Sequence, residues 1–571
     1  MDAAASGIRT LLVCRRLGIR TIGLCLAILV LTAAPRGADR VIRLRDVAAL
    51  AGIDLINIAG SPTKDLVMDA NGNGAAWFDY DRDGVLDLLI VNGSRFEQWK
   101  RGGDQMVALY RNDGRGKFTN VTHAAGLDRK GWGTGVCVGD YDNDGFEDVY
   151  ITAIGPNVLW HNTGHGTFTT AGEAADPRWS TGCAFGDYDR DGLLDLYVAN
   201  YVQFDARTGP PSRMSGACHY LTITTFCGPR PLVGEADVLY RNTGNGHFTD
   251  VSRAAGIVDP GYYGFGVLFT DLDDDGWPDI FVANDSVPNL FFRNLGNGTF
   301  AEQGVLSGLA VSGNGREQAG MGVDAGDLDG DGRIDLVKTN FAQDYTTIFN
   351  NEGNGLFRDV SSRSGVLATL GPHMGWGVGL FDIDNDGLLD LFVANGHVYP
   401  DVIKTGSSTY AQKSDLFMNT GQGRLRLVTG TAGGGLATEK SSRGAAFGDY
   451  DNDGDVDVLV VNMDDRPTLL RNDSDEGHWI TLRLVGVKSN RDGIGAKVTA
   501  TAGGRRQVML VHSGGSYLSQ NDMRVHFGLG AAATVDQITI RWPSGQVDTL
   551  GGLAADRFYV AREGAGVKAG L

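Results

Sequence analysis

Seven times the chain writes Asp-x-Asp-x-Asp-Gly-x-x-Asp, starting at Asp79, Asp140, Asp187, Asp271, Asp327, Asp382 and Asp449. A hard cation such as calcium takes about six to eight oxygens at 2.3–2.6 Å, and carboxylates at the first, third and fifth positions of a tight loop can aim inward together. Glycine at the sixth position permits the sharp turn, the seventh residue offers a carbonyl, and the ninth aspartate closes the shell. The predicted ligands are Asp79, Asp81, Asp83, Val85 and Asp87 in the first loop, then Asp140, Asp142, Asp144, Phe146 and Asp148 in the second. The third and fourth loops offer Asp187, Asp189, Asp191, Leu193 and Asp195, and Asp271, Asp273, Asp275, Trp277 and Asp279. The fifth and sixth offer Asp327, Asp329, Asp331, Arg333 and Asp335, and Asp382, Asp384, Asp386, Leu388 and Asp390. The seventh offers Asp449, Asp451, Asp453, Asp455 and Asp457. An EF-hand would close with Glu at the twelfth position. Here that position is apolar, as at Ile90 and Val198, and the following LDLLIVN and LDLYVAN read as strands. One DxDG alone would be an ordinary hairpin turn. Seven complete copies, 47–84 residues apart, predict about seven calcium ions in a blade-like repeat.

Five residues before each loop stands a glycine (Gly74, Gly135, Gly182, Gly266, Gly322, Gly377, Gly444), which marks a close backbone approach. After the second strand comes a strand-turn-strand segment such as LYRNDGRGKFTNV at 109–121 or LYRNTGNGHFTDV at 239–251. Each unit is then four short strands that need neighbours on both faces, the blade of a β-propeller. The seventh unit stops at 469–477 without its last strand, while LRDVAALAGI at 44–53 matches the ends of other units. A strand donated from the N-terminus would close the ring. The expected fold is all-β: a closed seven-bladed propeller over 40–475, then a small β-sandwich-like domain over 478–560, where WITLRL, AKVTATA, RQVMLV, RVHFGLG and ITIRW read as strands.

The net charge of −19 is smaller than the charge of the loop aspartates alone, so acidity here speaks of metal rather than of cationic partners. No basic stripe interleaved with aromatics points to nucleic acid. Residues 1–38, with Arg9, Arg15, Arg16 and Arg20 ahead of the apolar stretch 21–34, read as a signal peptide, and as a membrane anchor only if uncleaved. The expected location is secreted or periplasmic, where weak calcium sites fill. Cys218 and Cys227, in a long insertion at 201–232, are expected to form a disulfide. Cys137 and Cys183 sit three and four residues before their loops, an offset that points them to opposite strand faces, and are expected as buried thiols.

Counting six back from each loop gives a variable ring, Asn73, Thr134, Thr181, Phe265, Met321, Trp376 and Arg443, which is the candidate ligand face opposite the calcium loops. A plug of the channel is its alternative role. The insertion, with Tyr201, Arg207, His219, Tyr220 and Arg230, is a second candidate, and 397–413 a smaller one.

The calcium repeats resemble the FG-GAP/VCBS repeats of integrin-like propellers. NRDGIGAKV at 490–498, SGGSYLSQ at 513–520, FGLG at 527–530 and ITIRWPSGQ at 538–546 resemble the ASPIC/UnbV domain. Together they look like the cartilage acidic protein family over residues 40–550. The resemblance implies extracellular calcium-binding proteins of adhesion or interaction, and it brings no catalytic residue. The expected function is a noncatalytic binding or adhesion module whose partner is an extracellular protein or glycan. The alternatives are a carbohydrate-active lyase or hydrolase, or a lectin, using the face opposite the loops. Glu317 and His373 lie beside the ring, but no acid pair, HExxH or GxSxG is legible.

Overall fold

The computed structural model describes residues 41–474 and 477–570, so the expected leader lies outside the described residues. Among these residues the strands form nine four-stranded and two two-stranded sheets. Seven of the four-stranded sheets each begin on the strand that leads into an acidic loop: Ala75–Phe78, Gly133–Gly139, Ser180–Gly186, Gly264–Thr270, Gly320–Gly326, Gly375–Phe381 and Ser442–Gly448. Each returns antiparallel through the strand that starts at the ninth loop residue, as in Phe78↔Asp87. The first strand of every sheet lies against that of the next, and the seventh lies against the first. Leu44–Asp46 is the outer strand of the seventh sheet, paired antiparallel with Thr468–Asn472.

Ala75–Phe78 is buried throughout because alternate residues serve different neighbours. Ala75 and Trp77 pack with Ala446, Leu459 and Leu469 of the seventh sheet, whereas Ala76 and Phe78 pack with Val136, Val149 and Trp160 of the second. The framework glycines sit where strands approach most closely. A Cβ on Gly182 would lie 2.0 Å from the Phe265 carbonyl oxygen, on Gly322 2.1 Å from that of Trp376, and on Gly74 1.6 Å from that of Leu518. Any side chain there would force apart neighbouring sheets or, at Gly74, the first sheet and the segment that carries Leu518.

The front of one sheet meets the back of the next. That corrects the expectation for Cys137 and Cys183, which form a disulfide with a Cα–Cα distance of 5.8 Å. Opposite strand faces are the faces that adjacent sheets turn toward each other, so the odd-even offset brings the two sulfurs together. Cys218 and Cys227 also form a disulfide, closing the hairpin Cys218–Tyr220 and Ile223–Thr225.

The C-terminal region contains two four-stranded sheets that share one apolar core with Ile480, Val498, Phe527 and Ile540. His478–Val485 and Arg557–Arg562 pair in parallel. The last strand, Gly566–Ala569, lies beyond the expected boundary at 560. The segment 513–522 leaves these sheets and runs along the axis of the ring. Val136 N–H donates to the Leu518 carbonyl (3.1 Å), Val323 N–H to that of Ser516 (2.9 Å) and Trp77 N–H to that of Gln520 (3.2 Å). Gln520 N–H returns a bond to the Ala75 carbonyl (2.9 Å), and Asp522 N–H donates to that of Phe447 (2.9 Å). The axial segment thus satisfies inner-strand groups that would otherwise be buried without partners. No helix among the described residues is long and apolar enough to cross a membrane.

Candidate metal centres

All seven loops share one hydrogen-bond scheme. The glycine N–H at the sixth position donates to Oδ2 of the first aspartate at 2.6–3.0 Å. The N–H of the seventh residue donates to the fifth aspartate at 2.8–3.1 Å, which places Val85, Phe146, Leu193, Trp277, Arg333, Leu388 and Asp455 at the mouth of each loop. The second residue donates to Oδ2 of the ninth aspartate, as Tyr80 does to Asp87. Besides the glycine, the fourth residue also turns left-handed: Arg82, Asn143, Arg190, Asp274, Gly330, Asn385 and Asn452 all have positive φ. Backbone donors therefore hold the carboxylates in place.

Oxygens of Asp79, Asp81 and Asp87 lie within 4.8 Å of one another, as do those of Asp140, Asp142 and Asp144, of Asp187, Asp189 and Asp195, and of Asp271, Asp273 and Asp279. In three loops the third-position aspartate keeps one oxygen, Oδ1 of Asp81, Asp189 or Asp451, shielded from solvent and without a donor. A buried acceptor left unpaired costs about 1–3 kcal/mol, and a cation would remove that cost. Burial, reinforced by neighbouring loop carboxylates, raises Asp87 to about 9 and Asp187 to about 7. Burial likewise raises Asp335 to about 7 and Asp449 to about 8. Crowded, buried carboxylates of this kind fit a hard divalent cation.

Two sets of loop partners escaped sequence reasoning, though both stand in the Arg-Asn and His-Asn pairs of the third segment. The first is an asparagine: Asn112, Asn162, Asn242, Asn294, Asn351, Asn419 and Asn472. Each donates its backbone N–H to Oδ1 of the ninth aspartate of its own loop at 2.6–2.9 Å. Each donates its side-chain amide to a loop carbonyl of the preceding sheet at 2.8–2.9 Å, and Asn112 reaches Tyr450 of the seventh sheet. The second is the residue before it. Arg111 bonds Oδ2 of Asp81 (2.7 Å) and of Asp83 (3.1 Å), and Arg241 does the same with Asp189 and Asp191 (2.7 and 3.0 Å).

The C-terminal sheets cover the inner rim of this face. Asp140 N–H donates to Asp492 (2.7 Å), Arg190 to the Pro543 carbonyl (2.6 Å) and Arg541 to Asp271 (2.6 Å). His526 lies 2.7 Å from Asn385 Oδ1, and Arg524 donates to the Asp449 carbonyl (2.7 Å).

The candidate ligand face is not open. Asn73, Thr134, Thr181, Phe265, Met321, Trp376 and Arg443 surround the axis with at most 3% of their surface exposed. Tyr517 fills the space between them, its ring centroid 4.8 Å from that of Trp376 and 5.5 Å from that of Phe265, and Arg443 stacks 4.1 Å over Trp376. A segment of the C-terminal region, 74–444 residues from these positions in sequence, occupies the channel, so the ring presents no open surface there. From the other side the insertion covers the axis: Tyr220 packs on Phe341, His397 and Tyr399, and Tyr201 donates to Asp285 (2.8 Å). Arg207 and His219 remain exposed, and Arg230 pairs with Glu317 at 3.2 Å. His373 Nδ1 lies 2.8 Å from Asp415, beside a cavity of about 730 Å³ that Lys413 and Glu439 also line.

FG-GAP-like repeats match residues 79–151, 140–198, 232–282, 271–338 and 394–460, and an ASPIC and UnbV domain matches 486–568. The sixth loop falls outside these matches yet keeps the shared bonds. Cartilage acidic protein 1 of Mus musculus is 25% identical over 494 residues, covering 83% of this chain and 71% of its own, and that of Homo sapiens is 24% identical over 496 residues, covering 83% and 69%. Among solved structures, an Agrocybe aegerita lectin that recognises non-reducing terminal N-acetylglucosamine matches with TM-score 0.37 at 16% identity, over 68% of this chain and 88% of its own. Repeat matches spread over half the chain, followed by the C-terminal match, place it in the FG-GAP-like repeat family with an ASPIC and UnbV domain, homologous to cartilage acidic protein 1.

Proposed function

We propose that this chain is an exported, noncatalytic binding module: a seven-bladed propeller locked by about seven calcium ions and capped on its metal face by the C-terminal β domain. The observation that carries it is the loop scheme, with backbone donors fixing the carboxylates around third-position oxygens that no donor reaches. In this reading calcium is structural. The first, third, fifth and ninth aspartates and the seventh carbonyl of each loop would hold it, and its charge would offset the crowding of buried carboxylates. Two disulfides support an oxidising compartment. With the axis filled, recognition of an extracellular protein or glycan falls to the outer surface, and the disulfide-clipped insertion is its most distinctive part.

Equilibrium dialysis with calcium counted per chain tests the metal half, with about seven ions expected; none or one would overturn it. Incubating the calcium-loaded protein with a panel of extracellular polysaccharides and assaying new chain ends tests the other half. Retention without cleavage is expected, and turnover would overturn the noncatalytic reading.

A further inference from the structure

The second loop differs from its sisters in one ligand-bearing side chain. At the register where the first, third and fourth sheets carry Arg111, Arg241 and Arg293, the second carries His161. The arginines donate to third- and fifth-position carboxylates, are permanently charged, and have no lone pair to offer a metal. The fifth, sixth and seventh sheets place Asn350, Met418 and Arg471 there. His161 Nδ1 stands 3.2 Å from Asp148 Oδ1 and 3.3 Å from Asp142 Oδ2. The nitrogen is shielded from solvent and makes no aligned hydrogen bond with either oxygen.

Asp148 is wholly buried, and its carboxylate is oriented by the Asn162 and Tyr141 backbone N–H groups at 2.7 and 3.2 Å. The His161 ring packs edge-on against Tyr141 with centroids 6.2 Å apart, so both ligand types sit on held groups. Three groups whose lone pairs face one another need a positive charge between them, which either a proton on His161 Nδ1 or a metal ion supplies. Two ligands each about 2.1 Å from one ion lie roughly 2.9–3.4 Å apart at octahedral to tetrahedral angles, which brackets both observed separations.

We propose that the second loop is a mixed nitrogen–oxygen metal site in which His161, Asp142 and Asp148 hold a divalent transition ion, of the Zn²⁺ or Co²⁺ class, in preference to the calcium that fills this loop when no such ion is present and that the sister loops hold throughout. Calcium takes oxygen ligands, whereas imidazole selects borderline transition metals. The proposal rests on the reading of these loops as cation sites.

The test is equilibrium dialysis of the full chain against Co²⁺ in millimolar calcium, counting both metals and recording the visible cobalt spectrum. His161→Arg, which recreates the sister arrangement, and His161→Gln, which removes the basic nitrogen at similar size, are run beside it. The expected result is about one cobalt per wild-type chain, with the spectral signature of nitrogen ligation, and loss of that equivalent in both variants while the other loops keep calcium. Cobalt absent from a calcium-filled wild type, or retained equally by both variants, overturns the proposal and leaves His161 a counter-ion in the manner of Arg111. If neither metal binds, the cation reading of all seven loops falls with it.

Discussion

On the face of the acidic loops every sheet carries the same nine-residue turn with the same bonds; on the opposite face the connections differ from sheet to sheet, from the short crossing over 285–289 to the disulfide-clipped excursion over 201–232. Physics explains the asymmetry. The acidic loops are tied twice by Asn112 and its six counterparts, whose N–H holds the ninth aspartate of its own loop and whose amide holds a carbonyl of the neighbouring sheet's loop, so a change at that asparagine breaks two things at once. The opposite face is held by side-chain packing such as Tyr220 on His397 and Phe226 on Tyr399, which tolerates many shapes. One face is therefore fixed by repeated hydrogen bonds, and the other is free to vary.

Stripping metal is the hardest blow to that contrast. A site filled at a hundredfold excess over its Kd contributes about 2.7 kcal/mol, so seven filled sites rival or exceed the roughly 5–15 kcal/mol net stability of a typical domain. Thermal unfolding with calcium and with chelator should show loss of the cooperative transition in chelator. An unchanged Tm would remove the stabilising role from the metal face. Next in size is Tyr517→Ala, which empties the axis where both faces meet. Large-to-small changes at fully buried aromatics cost about 3–5 kcal/mol. A shift under about 1 kcal/mol in denaturant unfolding would mean that the axial segment is not part of the ring's core.

The disulfides divide in the same direction. Cys137 and Cys183 join two adjacent sheets across 46 residues, whereas Cys218 and Cys227 close 9 residues on the variable face. Loop-closure entropy assigns about 4 kcal/mol to the first and about 2.6 kcal/mol to the second. Chemical denaturation of Cys137→Ser/Cys183→Ser against Cys218→Ser/Cys227→Ser measures the difference, and a reversed order would show that the hairpin is tied into the ring more deeply than its packing indicates.

What could be read in advance was local or periodic. The ligand spacing, the framework glycines and the strand alternation all lie within a few residues of one another, and seven repetitions make each legible. What escaped is held by distance in the chain. Nothing in SGGSYLSQ says that Tyr517 will stand beside Trp376, because that contact exists only once the ring has closed around it. The bond of Cys137 with Cys183 needed the knowledge that neighbouring sheets stack front to back. The ring of asparagines was visible as a repeated letter, but an asparagine before a turn is commonplace, and its second bond lies in another sheet.

The smallest expected effect compares one histidine from each face. His397, under the insertion, is lowered by burial and then by Arg443 to about 3; His526, between the C-terminal sheets and the sixth loop, is lowered by burial and then by Arg524 to about 4. Both are neutral in the folded protein, whereas the unfolded chain takes a proton near 6.5. The unfolded state thus binds more protons below that value, and stability falls with pH by about 1.4 kcal/mol per unit for each histidine until the folded pKa is reached. Tm measured between pH 7 and 5 in saturating calcium should drop more steeply in wild type than in His397→Gln or His526→Gln. The loop carboxylates also begin to take protons in acid, but their contribution is common to all three proteins and cancels in the comparison. Equal slopes in wild type and His397→Gln would show that water reaches the ring beneath the insertion. The same result for His526→Gln alone would place the looseness at the cap, reversing the assignment of the rigid and variable faces.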